Sequence, residues 1–334
     1  MNGDSDSWSD AGRGSGTEEA HVHGATTCGT AAADIPIDGR RTHPVRRSAD
    51  CEAVEEYPTW RTIGLETMAA MLVVSLRRVG SHAFEARCQW PRFHPLNERN
   101  LAVSHHPLIM VESVRQVAAS LAAHLPPAAG GLEPVSIRLG LSDGGPPLES
   151  GDATDVLLRI ALGDVEVEVE DGRCVAYRLT ADFLHAGERF AACAMRLAQP
   201  ALHVPEAPGT ASVPGILHPS AAAVGAAAEP DVLLARAPQG RMAIAPRDLG
   251  HPVFLAGRPS CVPALAVLEA GRQAALLCCG RPASAIRGLS VDLHGAVPLS
   301  GAFVELSSSP LGPRFEVLTA GRVAATGGVG LLTT

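Results

Sequence analysis

The stretches Met110–Leu125, MVESVRQVAASLAAHL, and Val267–Gly280, VLEAGRQAALLCCG, place the same three polar residues inside otherwise apolar runs. Each contains Glu-x-x-Arg-Gln: Glu112, Arg115 and Gln116 in one, Glu269, Arg272 and Gln273 in the other, 157 residues apart (269 − 112). Positions i, i+3 and i+4 share one face of a helix. Both segments follow a proline, Pro107 or Pro263, which suits a helix start because its missing N–H would have no partner there. Helices are therefore expected over Pro107–Leu125 and Pro263–Cys279. Their remaining faces are apolar nearly all round, the signature of a helix enclosed on most sides.

The flanking sequence repeats as well. Before the first helix come strand-like runs at TMAAMLVVSLRRV and SHAFEARCQW, and after it PVSIRLGLS, TDVLLRIALG through VEVEVE, RCVAYRLTADFL and RFAACAMRLA. Val165–Glu170 alternates with strict period two, as a half-exposed strand does, and Asp171-Gly172 reads as a hairpin turn. The second half runs DVLLARA, RMAIAP, a loop, the second helix, then SAIRGLSVDLHG, GAFVELSSS, RFEVLTAG and RVAATGGVGLL. Strands, loop, one long apolar helix, then antiparallel strands is the order of a hotdog fold, in which a curved sheet wraps one helix. The expected class is α+β: two hotdogs packed as a pseudo-dimer. The expected boundaries are a disordered tail 1–58, a first domain 59–203, a Pro/Ala/Gly-rich linker 204–229 and a second domain 230–334.

Composition narrows the function. The chain has 334 residues, 46% hydrophobic but only 4% aromatic, so Ala, Val and Leu must do most of the packing. Its formal charge is −8, with no basic stripe, which argues against a nucleic-acid partner. No uncharged apolar run reaches the 18 residues of a membrane span. Met1–Gly16 is polar and unlike a signal peptide, and the eight cysteines form no C-x-x-C pair, so a reducing cytoplasm is expected. Cys278 and Cys279 read as small core residues. His21 and His23 could hold a metal only weakly; no metal or cofactor is expected.

A buried Glu or Arg left unpaired costs on the order of 3–5 kcal/mol, so the repeated triplets must pair with each other, with the opposite half or with a ligand. An exposed i,i+3 bridge and a buried structural ion-pair network are the bland alternatives. His94, His105 and His106 cluster near the first helix start, where acid–base work, phosphate binding and simple solvation are all open.

These residues resemble the A-factor biosynthesis (AfsA-type) family of γ-butyrolactone or butenolide synthases. The likeness lies in Trp90-Pro91-Arg92-Phe93-His94-Pro95, His106-Pro107-Leu108-Ile109 and Glu112-x-x-Arg115-Gln116. In the second half it lies in His251-Pro252-Val253-Phe254, Val262-Pro263 and Glu269-Ala270-x-Arg272-Gln273. It covers about residues 60–334. The resemblance implies an acyltransferase and condensing enzyme that moves a β-ketoacyl group from an acyl carrier protein or CoA thioester to dihydroxyacetone phosphate. Glu112, Glu269 and His106 would be catalytic; Arg115, Gln116, Arg272, Gln273, His94 and His105 would bind substrate, with helix-start amides as an oxyanion hole. A homodimer is compatible with it. The chain departs from the family where LAGRPSCVPA replaces the expected acids and histidines, and where His106 replaces an Asp. A degenerate hotdog that binds an acyl thioester or a signal without turnover is the first alternative. A hotdog dehydratase or thioesterase is the second, weakened because Leu255 stands where a dehydratase has its histidine and cannot move a proton.

Overall fold

The computed structural model describes residues 55–97, 105–126, 131–142, 153–170, 172–199 and 215–332. In chain order the elements are β1 (Glu55–Glu56), β2 (Val73–Arg78), β3 (Ala83–Pro91), α1 (Leu108–Leu121), β4 (Glu133–Leu141), β5 (Ala153–Val167), β6 (Cys174–His185) and β7 (Glu188–Ala198). They continue with β8 (Leu234–Arg236), β9 (Met242–Ile244), α2 (Ala264–Cys279), β10 (Ile286–Leu293), β11 (Ala302–Ser307), β12 (Arg314–Thr319) and β13 (Arg322–Leu331). Among the described residues all 13 strands join one antiparallel sheet, ordered β1-β2-β3-β5-β6-β7-β4-β10-β13-β12-β11-β9-β8.

This is a tandem hotdog. The two lobes meet edge to edge where β4 pairs β10, Ser136 opposite Asp292 and Gly140 opposite Gly288. Ser136 Oγ donates to Asp292 Oδ1 at 2.6 Å across that seam. Outward from it, β7, β6 and β5 match β13, β12 and β11, so the sheet order mirrors the sequence repeat. Alternation sets the faces: in β3, Phe84, Ala86, Cys88 and Trp90 are buried while Arg87 and Gln89 are exposed.

Each lobe wraps one helix. Ten of the eleven residues Leu108–Ala118 are buried, as are all residues of α2 from Ala264 to Leu276. With few aromatic residues to fill space, close approach replaces bulk. Gly271 of α2 lies so near Phe315 of β12 that an added Cβ would stand 2.3 Å from the ring. A single apolar core runs through both lobes, including Leu108, Val114, Val267, Leu268 and Phe315.

Several boundaries shift from expectation. Pro107 and Pro263 flank their helices as caps rather than occupying the first turn, and α1 tightens into a 3-10 turn at Ala122–His124. β5 stops at Val167; Val169 is almost wholly exposed, because the alternating run outlasts its partner strand. Asp171 and residues 1–54, including His21 and His23, lie outside the described residues. Glu55–Glu56 pairs with β2, so ordered chain precedes residue 59. Within the described part of the stretch expected as linker, Leu217 bridges Arg236, and 3-10 turns form at Ala221–Val224 and Glu229–Asp231. Cys278 and Cys279 are exposed rather than core, since α2 reaches solvent in its last turn. Among the described residues no helix is long and apolar enough to cross a membrane, and no group of His, Cys, Asp or Glu is arranged to hold a metal.

Candidate functional site

Both triplets form the same bonded unit. Arg115 donates from Nε and Nη2 to the two oxygens of Glu112, each at 2.7 Å, and Gln116 Nε2 donates to Glu112 Oε1 at 2.8 Å. Arg272 grips Glu269 at 2.7 and 2.6 Å, and Gln273 Nε2 donates to Glu269 Oε1 at 2.7 Å. Such two-pronged pairs are the strong form of the interaction.

The glutamines continue into the backbone. Gln116 Oε1 accepts from Leu72 N at 2.8 Å and Val73 N at 3.3 Å, while Nε2 donates to Ala70 O at 2.8 Å. Gln273 repeats this with Leu233 N and Asp231 O, at 2.9 and 2.8 Å. Both are fully buried. Gln116 and Gln273, expected to bind substrate, tie each central helix to the entry of a strand in its own lobe.

The His94-Pro95 and His251-Pro252 dipeptides do parallel work. His94 Nδ1 accepts from Leu96 N, leaving Nε2–H to donate to Ala70 O at 3.2 Å. His251 Nδ1 accepts from Val253 N and Phe254 N, and its Nε2 donates to Asp231 Oδ1 at 3.0 Å. In both cases a loop is pinned to the same strand entry that the glutamine holds. Burial pushes His94 down to about 4, so it is neutral near pH 7. His105 joins Thr154 Oγ1 at 2.7 Å and Asn97 Oδ1 at 3.3 Å, and burial holds it also at about 4. Neither His94 nor His105, both expected to bind substrate, borders the open groove between the helices.

His106 crosses between the lobes. Its Nδ1 accepts from Leu108 N at 3.2 Å, which assigns the proton to Nε2, 3.6 Å from Glu269 Oε2. Burial, with the nearby Arg272 charge, holds its pKa well below the usual histidine value. The ring therefore caps α1 and faces Glu269 as a neutral donor.

The open space lies on the other side. A groove of about 400 Å³ runs between α1 and the start of α2. Its walls are Ala118, Ala119, Ala122, Leu125, Tyr177 and Leu197 from the first lobe, and Val253, Pro259, Pro263, Ala264 and Leu265 from the second. Arg115, with 28% of its side chain exposed, supplies the cationic wall; Glu112, entirely buried, does not line the groove. Burial opposes the Arg115 charge, but Glu112's charge and hydrogen bonds outweigh it and hold the guanidinium above its usual pKa. Burial also raises the thiol of Cys174 and the phenol of Tyr177, which keeps both protonated and makes neither a ready nucleophile.

The helix starts differ in kind. In α1, Leu108 N bonds His106 Nδ1, Ile109 N bonds His106 O and Met110 N bonds Pro107 O. The amides at Pro107 are thus taken and form no oxyanion hole. In α2 the first internal bond is Val267 N to Pro263 O, and no side chain caps the helix. Among the described residues no acceptor meets the N–H groups of Ala264, Leu265 or Ala266, and the first two residues border the groove.

The loop before α2 makes an inter-lobe contact that sequence reasoning missed. Gly257 N donates to Glu66 Oε1 at 2.8 Å, from the second lobe to the first. Nothing in the local pattern around Glu66 signals it. Cys261, half-buried, bridges Pro298 through the backbone.

No known protein family matches the chain, and no curated protein matches it. Solved structures share its layout loosely. An acyl-ACP thioesterase from Bacteroides thetaiotaomicron VPI-5482 is 10% identical over 74% of this chain and 97% of its own, with a TM-score of 0.44. HtdX of Mycobacterium tuberculosis is 12% identical over 74% and 100%, at 0.42. The 12:0-ACP thioesterase from Umbellularia californica is 9% identical over 74% and 93%, at 0.43. Likeness of this degree says nothing about residues or chemistry.

Proposed function

We propose that this chain binds an acyl thioester in the groove between α1 and α2. The acyl chain lies along Ala118, Ala119, Ala122 and Tyr177. The thioester carbonyl meets the first-turn amides of α2, and the anionic remainder of the donor meets Arg115. One observation carries this reading: a largely apolar groove has its fixed positive groups, the Arg115 guanidinium and the uncapped start of α2, at the lobe junction. Helix-start amides favour negative charge, so they polarise a carbonyl as well as hold an anion. Glu112 acts by holding Arg115, not by touching the ligand.

Turnover is the second reading, favoured by those same amides, because a polarised thioester is open to attack. Water as the nucleophile gives hydrolysis. The hydroxyl of dihydroxyacetone phosphate as the nucleophile displaces the thiol and gives the ester; with a β-ketoacyl group, attack of its activated methylene on the ketone and loss of water then give the butenolide that the AfsA-type resemblance implies, with Arg115 on the phosphate. In either case Glu133 is the carboxylate on the groove wall, whereas Glu112 lies behind Arg115 and serves as base only if Arg115 releases it. A dehydratase is the weakest variant, since no imidazole lines the groove.

The test is incubation with β-ketoacyl and saturated acyl thioesters, on CoA and on a carrier protein, with and without dihydroxyacetone phosphate, followed by mass spectrometry. Bound but intact thioester supports the binding reading. Free acid supports hydrolysis, and an ester or butenolide supports transfer. Absence of any bound or converted thioester overturns the proposal.

A further inference from the structure

The central helices repeat at an offset of 157 residues, so the groove should have a twin. Arg115, Ala119 and Pro126 line the open groove; their counterparts are Arg272, Leu276 and Ala283. All three counterparts crowd one residue, Gly225. A Cβ built on Gly225 would stand 3.0 Å from Leu276, 3.1 Å from Ala283 and 3.3 Å from Arg272 Nη1. The Gly225 carbonyl accepts from Arg272 Nη2 at 2.8 Å.

The segment around Gly225 is built to sit there. Ser220 Oγ accepts from Ala223 N, the turn ends with Gly225 in the left-handed region at φ 59, and Asp231 Oδ2 accepts from Ala228 N at 2.9 Å. Val224 is wholly buried in a small apolar cluster with Ala221, Ala226 and Val232, packed against Leu277 of α2. Arg272 is left entirely buried, and its Nη1 meets no protein acceptor. Arg115 instead faces open space.

We infer that Ser220–Asp231 is an internal occupant of the second groove, so that the chain carries one acyl site where its duplication would provide two. The inference rests on the acyl-thioester reading for what the open groove takes. The closure itself rests only on the packing around Gly225. A backbone carbonyl stands against Arg272 where, in the open groove, the ligand's anionic part would stand against Arg115.

The experiment uses the full chain and two variants, Gly225→Ala and one with Ala221–Ala226 replaced by a Gly/Ser stretch of equal length. Phenylglyoxal labelling mapped by mass spectrometry reads guanidinium access directly. In the wild type Arg115 should be modified at least tenfold faster than Arg272. In the replaced variant, shown to be folded by its cooperative thermal unfolding, the two rates should converge. Should that variant not fold, Gly225→Ala, which adds one methyl group, should still raise Arg272 labelling several-fold. Native mass spectrometry with octanoyl-CoA should give one ligand per wild-type chain and two per unplugged chain. Rapid labelling of Arg272 in the wild type, or continued protection in the folded variants, overturns the inference. Failure of the wild type to bind octanoyl-CoA counts against the acyl reading of the open groove, and the labelling still decides whether the second groove is closed.

Discussion

Arg272 donates to the carbonyl of Gly225 at 2.8 Å, whereas its counterpart Arg115 borders an open groove. The same bonded unit thus sits in two settings, one sealed and one open. That difference predicts unequal costs when the units are broken. Glu269→Ala leaves a fully buried guanidinium without its carboxylate and should cost about 3–5 kcal/mol. Glu112→Ala leaves a cation with access to water and should cost less, about 1–2 kcal/mol. Urea unfolding of the two variants checks the order; equal losses contradict it.

Replacing Glu269 and Arg272 together by leucines should recover most of the single-variant loss, because the penalty lies in the uncompensated charge rather than in the absent pair. The double variant should fall within about 2 kcal/mol of the wild type in the same urea titration. A loss as large as that of Glu269→Ala would mean that the pair stabilises through its bonds to Gly225 and the strand entry instead.

Gly271→Ala should destabilise the chain by about 3 kcal/mol or more, since the new methyl meets the Phe315 ring in a packed core. Phe315→Leu introduced with it should return part of that loss, a coupling absent for distant sites. Thermal unfolding of the two singles and the double completes the cycle. Strict additivity would place the strain elsewhere.

Stability should fall in mild acid. His94 and His105 are held at about 4, and His106 well below its usual value, all chiefly by burial. In the unfolded chain each takes its proton near pH 6.5, so below that value the unfolded state binds more protons and is favoured. The loss begins as pH drops through about 6.5 and continues to about 4 for the first two. His94→Gln should flatten the slope of unfolding free energy against pH by close to one proton over that window. An unchanged slope would mean that His94 is not buried neutral.

Much of the fold was legible because its marks are periodic. The apolar helices at 108–121 and 264–279 and the strands beside them were set by alternation and by the repeated Glu-x-x-Arg-Gln. The short β8 and β9 were harder, since three-residue strands carry almost no period. The site was legible in its residues but not in its roles. Sequence places Gln116, Gln273, Arg115 and Arg272 on matching helix faces. It does not show that the glutamines bond Ala70, Leu72, Asp231 and Leu233, because those contacts close loops of 40 residues or more. Nor does it show that an Ala/Gly stretch resembling a linker packs onto Arg272, since small residues give no hydrophobic pattern to read.

The most direct measurement is photocrosslinking with an acyl-CoA whose chain ends in a diazirine, followed by peptide mapping of the wild-type chain. An acyl chain in the open groove should attach to Ala118–Pro126 and to the Cys174–Tyr177 stretch of β6. Attachment concentrated on Arg272–Ala283, or spread over the surface without preference, would contradict the assignment of the acyl site to the groove beside Arg115.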